Sequence, residues 1–258
     1  MPEPAPSPAP SAAPSPAVPA ERPAPSRRER ARAATTDEIV ATARRLLVDN
    51  GPSAVTLRAI AREMGMTAPG LYRYVASHED LMGVLVVALY DECTAQLEAA
   101  RDAAGSDPTS RLLAAARAFR RWALANPVEL GLVFASPVPA YDDKAADGIV
   151  HEAGRRFGGV FLGLFVELWH RQPFPVRADD EIDPRLLAEL RAWPLPDLGL
   201  PHGALEVHLR CWMRLYGAVV LEAFGQVSFA VLDAEPLFEL EMATLGEMLG
   251  IEYAPPQR

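Results

Sequence analysis

Arg58, Arg62 and Arg73 lie close together in a stretch whose other outward positions are short or hydroxylated: Thr67, Ala68 and Gly70, followed by Tyr74. Guanidinium forks match phosphate oxygens and guanine edges, and small residues let a backbone come close, so this set suits contact with a duplex and not bond cleavage. Residues for other chemistry are sparse. Glu167-Leu168-Trp169-His170 puts a carboxylate and an imidazole on one helix face, as in di-iron bundles, but Glu206-Val207-His208 has the wrong spacing for the second motif that such a centre needs. No Ser-His-Asp context, glycine-rich phosphate loop or paired catalytic carboxylate stands out. Cys93 and Cys211 are too few and too far apart for a disulfide frame or a zinc site and read as two buried thiols. No cofactor or metal is expected.

The elements that must position the arginines are legible in Thr56–Leu81, TLRAIAREMGMTAPGLYRYVASHEDL. Thr56 can cap a helix with Leu57, Ile60, Ala61 and Met64 on one face. Gly65 falls where a left-handed residue ends that helix. Met66 then points inward, and Thr67 caps a second helix with Pro69 in its first turn. Leu71, Tyr72 and Val75 are spaced to hold the second helix on the first. Ser77 with Asp80 starts a third helix, which carries Leu81, Val84, Leu85, Ala88 and Leu89 at helical period. Upstream, Thr35 with Glu38 is expected to begin a helix bearing Ile39, Ala43, Leu46 and Leu47 and ending near Asn50-Gly51-Pro52. This is the layout of a helix-turn-helix.

On Thr56, Ile60-Ala61, Gly65, Leu71-Tyr72, Tyr74 and Leu81, the segment from about Thr35 to Leu81 resembles the DNA-binding domain of TetR-family transcriptional regulators. Val75 replaces the Phe most common after that aromatic pair, and His78 stands where a phosphate-binding Lys usually opens the next helix. The resemblance implies that Arg58, Thr67, Ala68, Pro69, Gly70 and Arg73 face the groove. It assigns Thr56, Tyr72, Tyr74 and His78 to phosphate.

At 258 residues with 50% hydrophobic content, the chain can hold a small reader and a larger core, and no run approaches the length of a membrane span. A cytoplasmic protein without a membrane partner is expected. The net charge of -9 divides unevenly, +1 over residues 1–82 and -10 over 83–258, so the acidity belongs to the second domain. Residues 1–34, rich in Pro, Ala and Ser, cannot build a core and lack the apolar region of a secretory signal. They are expected to be a disordered tail that ends in an Arg-rich arm, Arg27-Arg28-Glu29-Arg30-Ala31-Arg32. Such an arm can lie along phosphates or enter a minor groove. The expected division is a tail at 1–34, a reader at 35–82 and a helical domain at 83–258.

In the last of these, Gly105-Ser106-Asp107-Pro108 breaks the chain, and helices are expected over about 109–125, 128–135, 147–170, 184–192, 203–226 and 236–249, with a loop at Ser136–Pro139. No stretch alternates with a period of two, so the fold class is all-α. Asn126-Pro127 and Trp212-Met213-Arg214-Leu215-Tyr216-Gly217 are similar to a TetR-family C-terminal subclass with a Trp and a His-Gly pair, Tyr216 taking the His place. The resemblance implies a homodimer in which the last two helices of each protomer pack together. Leu215, Val219, Val220, Ala223, Leu237, Leu240, Leu245 and Leu249 would supply its apolar surface, and Gly217, Ala218 and Gly225 its close approach. It further implies a small, mostly apolar effector that releases a near-palindromic operator. Candidate walls of the effector cavity are Trp122, Phe134, Phe161, Phe165, Trp169, Trp212, Met213 and Tyr216, with His170, His208 and Arg214 as polar anchors. The alternatives are a DNA-binding factor without an effector and, further off, an all-α metal enzyme.

Overall fold

A computed structural model of the chain describes residues 26–135, 148–253 and 255. All regular structure among them is helical, as the periodicity predicts. The tail expected at 1–34 lies outside the described residues up to position 25, as does the loop at Ser136–Pro139.

The first helix, α1 (Arg27–Asn50), starts two turns earlier than Thr35 with Glu38 predicts. Ser26 Oγ accepts from the Glu29 amide and the Glu29 carboxylate accepts from the Ser26 amide, a complete capping box at the new start. Thr35 and Thr36 instead donate to the Ala31 and Arg32 carbonyls one turn back. Residues 26–34 therefore belong to a helix and not to the tail. Gly51, at φ 81°, ends α1.

The next elements follow the predicted caps closely. In α2 (Leu57–Glu63), Thr56 Oγ1 accepts from Ala59 N at 3.1 Å. Gly65 at φ 63° turns the chain, and Met66 N donates to Ala61 O at 2.8 Å, closing the helix end. Thr67 Oγ1 caps α3 (Ala68–Leu71) through Gly70 N, and turns carry the ladder on to Val75. Ser77 caps α4 (His78–Ala103) through Asp80 N, while Asp80 accepts from Ala76 N. The boundary expected at residue 82 falls inside α4. A continuous apolar core runs from Ile39, Leu47, Ile60 and Leu71 through Leu81, Leu85, Leu89 and Leu97 of α4 into the second domain. The connector is thus half of each domain and cannot shift without disturbing both.

Beyond it come α5 (Pro108–Ala125), α6 (Pro127–Leu130) with a wider turn at Gly131–Ala135, α7 (Ile149–Arg171), α8 (Pro184–Ala192), α9 (His202–Ala223) and α10 (Glu235–Met248). Helix α4 packs on α5 and α7, α5 packs on α9, and α9 carries α8 and α10. Phe119, Phe134, Phe157, Phe161 and Trp212 form an aromatic cluster at its centre, mostly edge-to-face. No described helix is long and apolar enough to cross a membrane.

Candidate nucleic-acid interface and cavity

The caps at Thr56 and Thr67 place two short helices so that Arg58, Arg62, Thr67, Ala68, Pro69 and Arg73 are all exposed, with Gly70 half-buried. A threonine oxygen that accepts from a backbone amide keeps its own O–H to donate, so Thr56 and Thr67 still have a proton for an outside oxygen. Charge pairing is uneven over the molecule. Among the described residues, Arg58, Arg62 and Arg73 have no carboxylate within ion-pair distance, whereas Arg111, Arg117, Arg120 and Arg214 of the second domain pair with Glu167, Glu239, Glu222 and Glu241. Three exposed guanidiniums without a carboxylate partner, grouped around the capped turn, are ready for a polyanion.

Tyr72 is more open than its spacing implies, and two of the expected phosphate contacts, Tyr74 and His78, are engaged within the protein. Tyr72 was spaced to pack inward but is 54% exposed, because Leu71 and Val75 alone seat the helix, each about 1% exposed. Tyr74 is half-buried with Arg32 over its ring, the guanidinium carbon 5.6 Å from the centroid. His78 Nε2 lies 2.9 Å from the Val55 carbonyl. A carbonyl can only accept, so Nε2 donates to it and only Nδ1 is left to face a phosphate.

Helix α1 is pinned to the body by a polar cluster that the sequence did not reveal. Arg44 donates to Glu129 at 2.9 Å, to Glu92 at 2.5 and 3.3 Å and to Asn126 at 2.8 Å. Trp122 Nε1 donates to Glu92 at 2.9 Å, and Asn126 Nδ2 to the Trp122 carbonyl at 2.8 Å. Burial works against charge on Glu92, but the Arg44 guanidinium and the indole N–H outweigh it and hold its pKa below the ordinary carboxylate value. The partners of Arg44 are more than forty residues from it in sequence, so helical spacing gave no signal. The nearest hint was a polar group closing an apolar helix at Asn126-Pro127-Val128-Glu129.

The second domain holds an apolar cavity of about 60 Å³ between α5, α7, α9 and α10. Phe161, Phe165 and Trp212 line it as predicted; Leu112, Ala116, Met242 and Leu249 join them unforeseen. The other candidates do not. Trp122 turns its indole N–H to Glu92 of α4, and Tyr216 donates to the Phe134 carbonyl at 2.6 Å, which anchors the turn after α6. Trp169 packs edge-on against Phe174 in a smaller neighbouring core, and Met213 is 71% exposed on the far face of α9.

Of the anchors, only His208 reaches the cavity. Its ring packs against Phe165 and Trp193, and neither nitrogen has a hydrogen-bond partner among the described residues. Burial alone pushes its pKa down to about 4, so it is neutral at pH 7. Arg214 pairs with Glu241, His170 meets the Leu198 carbonyl at 3.1 Å, and Glu167 pairs with Arg111, so the Glu-x-x-His face is committed to structure.

The predicted dimer surface also divides. Leu215, Val219, Leu245 and Leu249 are buried within the protomer, because α9 and α10 turn them onto α5 and the cavity. Gly225, at φ 67°, terminates α9 and lies outside the helix. Leu237 and Leu240 are exposed as expected, and Met213, Leu221, Phe229 and Leu232 join them.

The reader and the cavity domain match known sequences separately. Residues 39–85 match the bacterial regulatory proteins of the tetR family, and residues 112–245 match the tetracyclin repressor-like C-terminal domain. The chain belongs to the TetR family. This TetR-family protein is 32% identical to the HTH-type transcriptional regulator Rv1816 of Mycobacterium tuberculosis, over 86% of this chain and 95% of that one. The curated regulator Mb1846 of Mycobacterium bovis matches equally. Among solved structures, the regulatory protein SCO4313 superimposes with a TM-score of 0.66 at 32% identity, covering 85% of this chain and 98% of that one. A Rhodococcus sp. RHA1 protein shares the fold, with a TM-score of 0.60 at 22% identity over 83% and 93% of the two chains. The chain is therefore a DNA-binding transcriptional regulator and not an enzyme.

Proposed function

We propose that this regulator is an effector-released repressor, working in the cytoplasm as a homodimer on a near-palindromic operator. The observation that carries the reading is the unpaired, exposed set Arg58, Arg62 and Arg73 around the capped turn at Thr67. In this reading Arg58, Thr67, Ala68, Pro69, Gly70 and Arg73 face the groove, and Thr56 and Tyr72 hold phosphate. One such helix covers only a few base pairs, so two half-sites are needed for useful specificity. Apolar side chains on α9 and α10, namely Met213, Leu221, Leu237 and Leu240, favour a second protomer as their cover.

The cavity supports a small apolar effector. An engineered apolar cavity of about 150 Å³ accommodates benzene, so a space of about 60 Å³ must widen before a ring enters. Its walls α5 and α7 pack directly on α4. An effector that prefers the widened state therefore shifts the reader, which is what release requires.

Selection of bound sequences from a random duplex pool, followed by titration of wild type and Arg73→Ala, tests this. The expected result is a two-fold-related motif and a loss of about 1–3 kcal/mol on that motif, with little change on random DNA, if Arg73 reads guanine bidentately. Failure to enrich any motif at low salt sinks the reading.

A further inference from the structure

The first two turns of α1 carry a second block of cations, Arg27, Arg28, Arg30 and Arg32. We propose that they form a helical arm that holds duplex phosphates beside the operator, with Arg28 and Arg32 as its contacting pair and Tyr74 as its seat. The proposal rests on the DNA-reading assignment above and adds a binding element outside the helix-turn-helix.

These turns do nothing for the core. Every residue from Ser26 to Ala34 is exposed, and the first buried side chain of α1 is Ile39. Yet the helix is specified there by a complete capping box and by Ala31, Ala33 and Ala34. Its arginines also lack counter-charges. Arg28 and Arg32 stand one turn apart on one face, where like charges repel, and none of the four has a carboxylate partner among the described residues. An anion supplied from outside removes that repulsion.

The arm also points the right way. Arg32 stacks on Tyr74, the residue after Arg73, so its face of α1 lies on the reading side. Arg28 extends the same face about 6 Å further along the helix. Charge balance favours such an arm: residues 35–82 hold five arginines against six acids, whereas residues 27–34 hold four arginines against one. Without the arm the reader is net negative and would approach phosphate with little long-range attraction.

Anisotropy titrations of the full chain over a salt series, on a random-sequence duplex and on the selected duplex, test the arm. Arg28→Ala with Arg32→Ala keeps good helix formers in place, which circular dichroism verifies. The double variant should weaken binding by a similar factor on both duplexes. It should also flatten the slope of log affinity against log salt by about 1.8 per protomer, about 0.9 for each phosphate no longer neutralised. Arg73→Ala should erode only the preference for the selected duplex. An unchanged salt slope in the double variant, beside a normal Arg73→Ala effect, overturns the arm and leaves the reader standing. If the wild-type chain binds neither duplex, both fall together.

Discussion

Replacing Arg44 by alanine should loosen the joint between the reader and the body. Glu129 is the decisive partner, because its side chain is only 6% exposed and would be left without its ion-pair partner. Breaking a buried pair by removing one member costs about 3–5 kcal/mol. Here Arg44 is 30% exposed and Glu92 35%, so solvent relieves part of the loss, and about 3 kcal/mol is expected. Urea denaturation of the full chain at pH 7 and one fixed protomer concentration measures it, since any dimer ties stability to concentration. A double-mutant cycle with Glu129→Gln should return a coupling of at least about 1 kcal/mol. The pH dependence gives a second reading. The folded pKa of Glu92 lies below its ordinary value of 4.5, so its contribution is present above that pH and is lost as pH falls below it. Arg44→Ala removes the largest favourable partner and should flatten this acid limb. A loss under about 1 kcal/mol with an unchanged acid limb would show that the cluster is solvated and does not pin α1.

Two further changes probe the cavity domain. His208 has a pKa near 4 when folded, so below about 6.5 the unfolded chain binds its proton first and stability should fall by up to about 3 kcal/mol as pH drops to 4. His208→Phe should remove that slope, read as the difference between the two denaturation series; parallel curves would refute it. At Gly203 a Cβ would stand 2.2 Å from the Arg177 carbonyl oxygen and 3.1 Å from the Val176 Cβ. Gly203→Ala must push that stretch of chain off α9, costing at least about 1–3 kcal/mol by thermal or urea unfolding.

The reader was legible because its signals are local. A cap, its amide and the glycine that ends the helix lie within one or two turns, so Thr56, Gly65, Thr67 and Ser77 fixed three helices from neighbours in sequence. The start of α1 was missed for a related reason. Ser26 with Glu29 stands nine residues before Thr35 with Glu38, in a segment whose Pro, Ala and Ser content reads as a tail. The first prevails because alanine and arginine propagate a helix already nucleated by packing.

Periodicity and caps were enough to specify an all-helical chain, a helix-turn-helix with its outward arginines, and the residues that make up each apolar face. Tertiary structure decided which neighbour each apolar face meets. A leucine at helical spacing is equally fit for a core, a cavity or a partner protomer, and only the packing of α9 on α5 and α10 turned Leu215 and Val219 inward and Met213 outward. The same holds for charge. That Arg44 would find Glu92 and Glu129 while Arg73 found none depends on proximity between residues far apart in sequence, and folding alone brings those together.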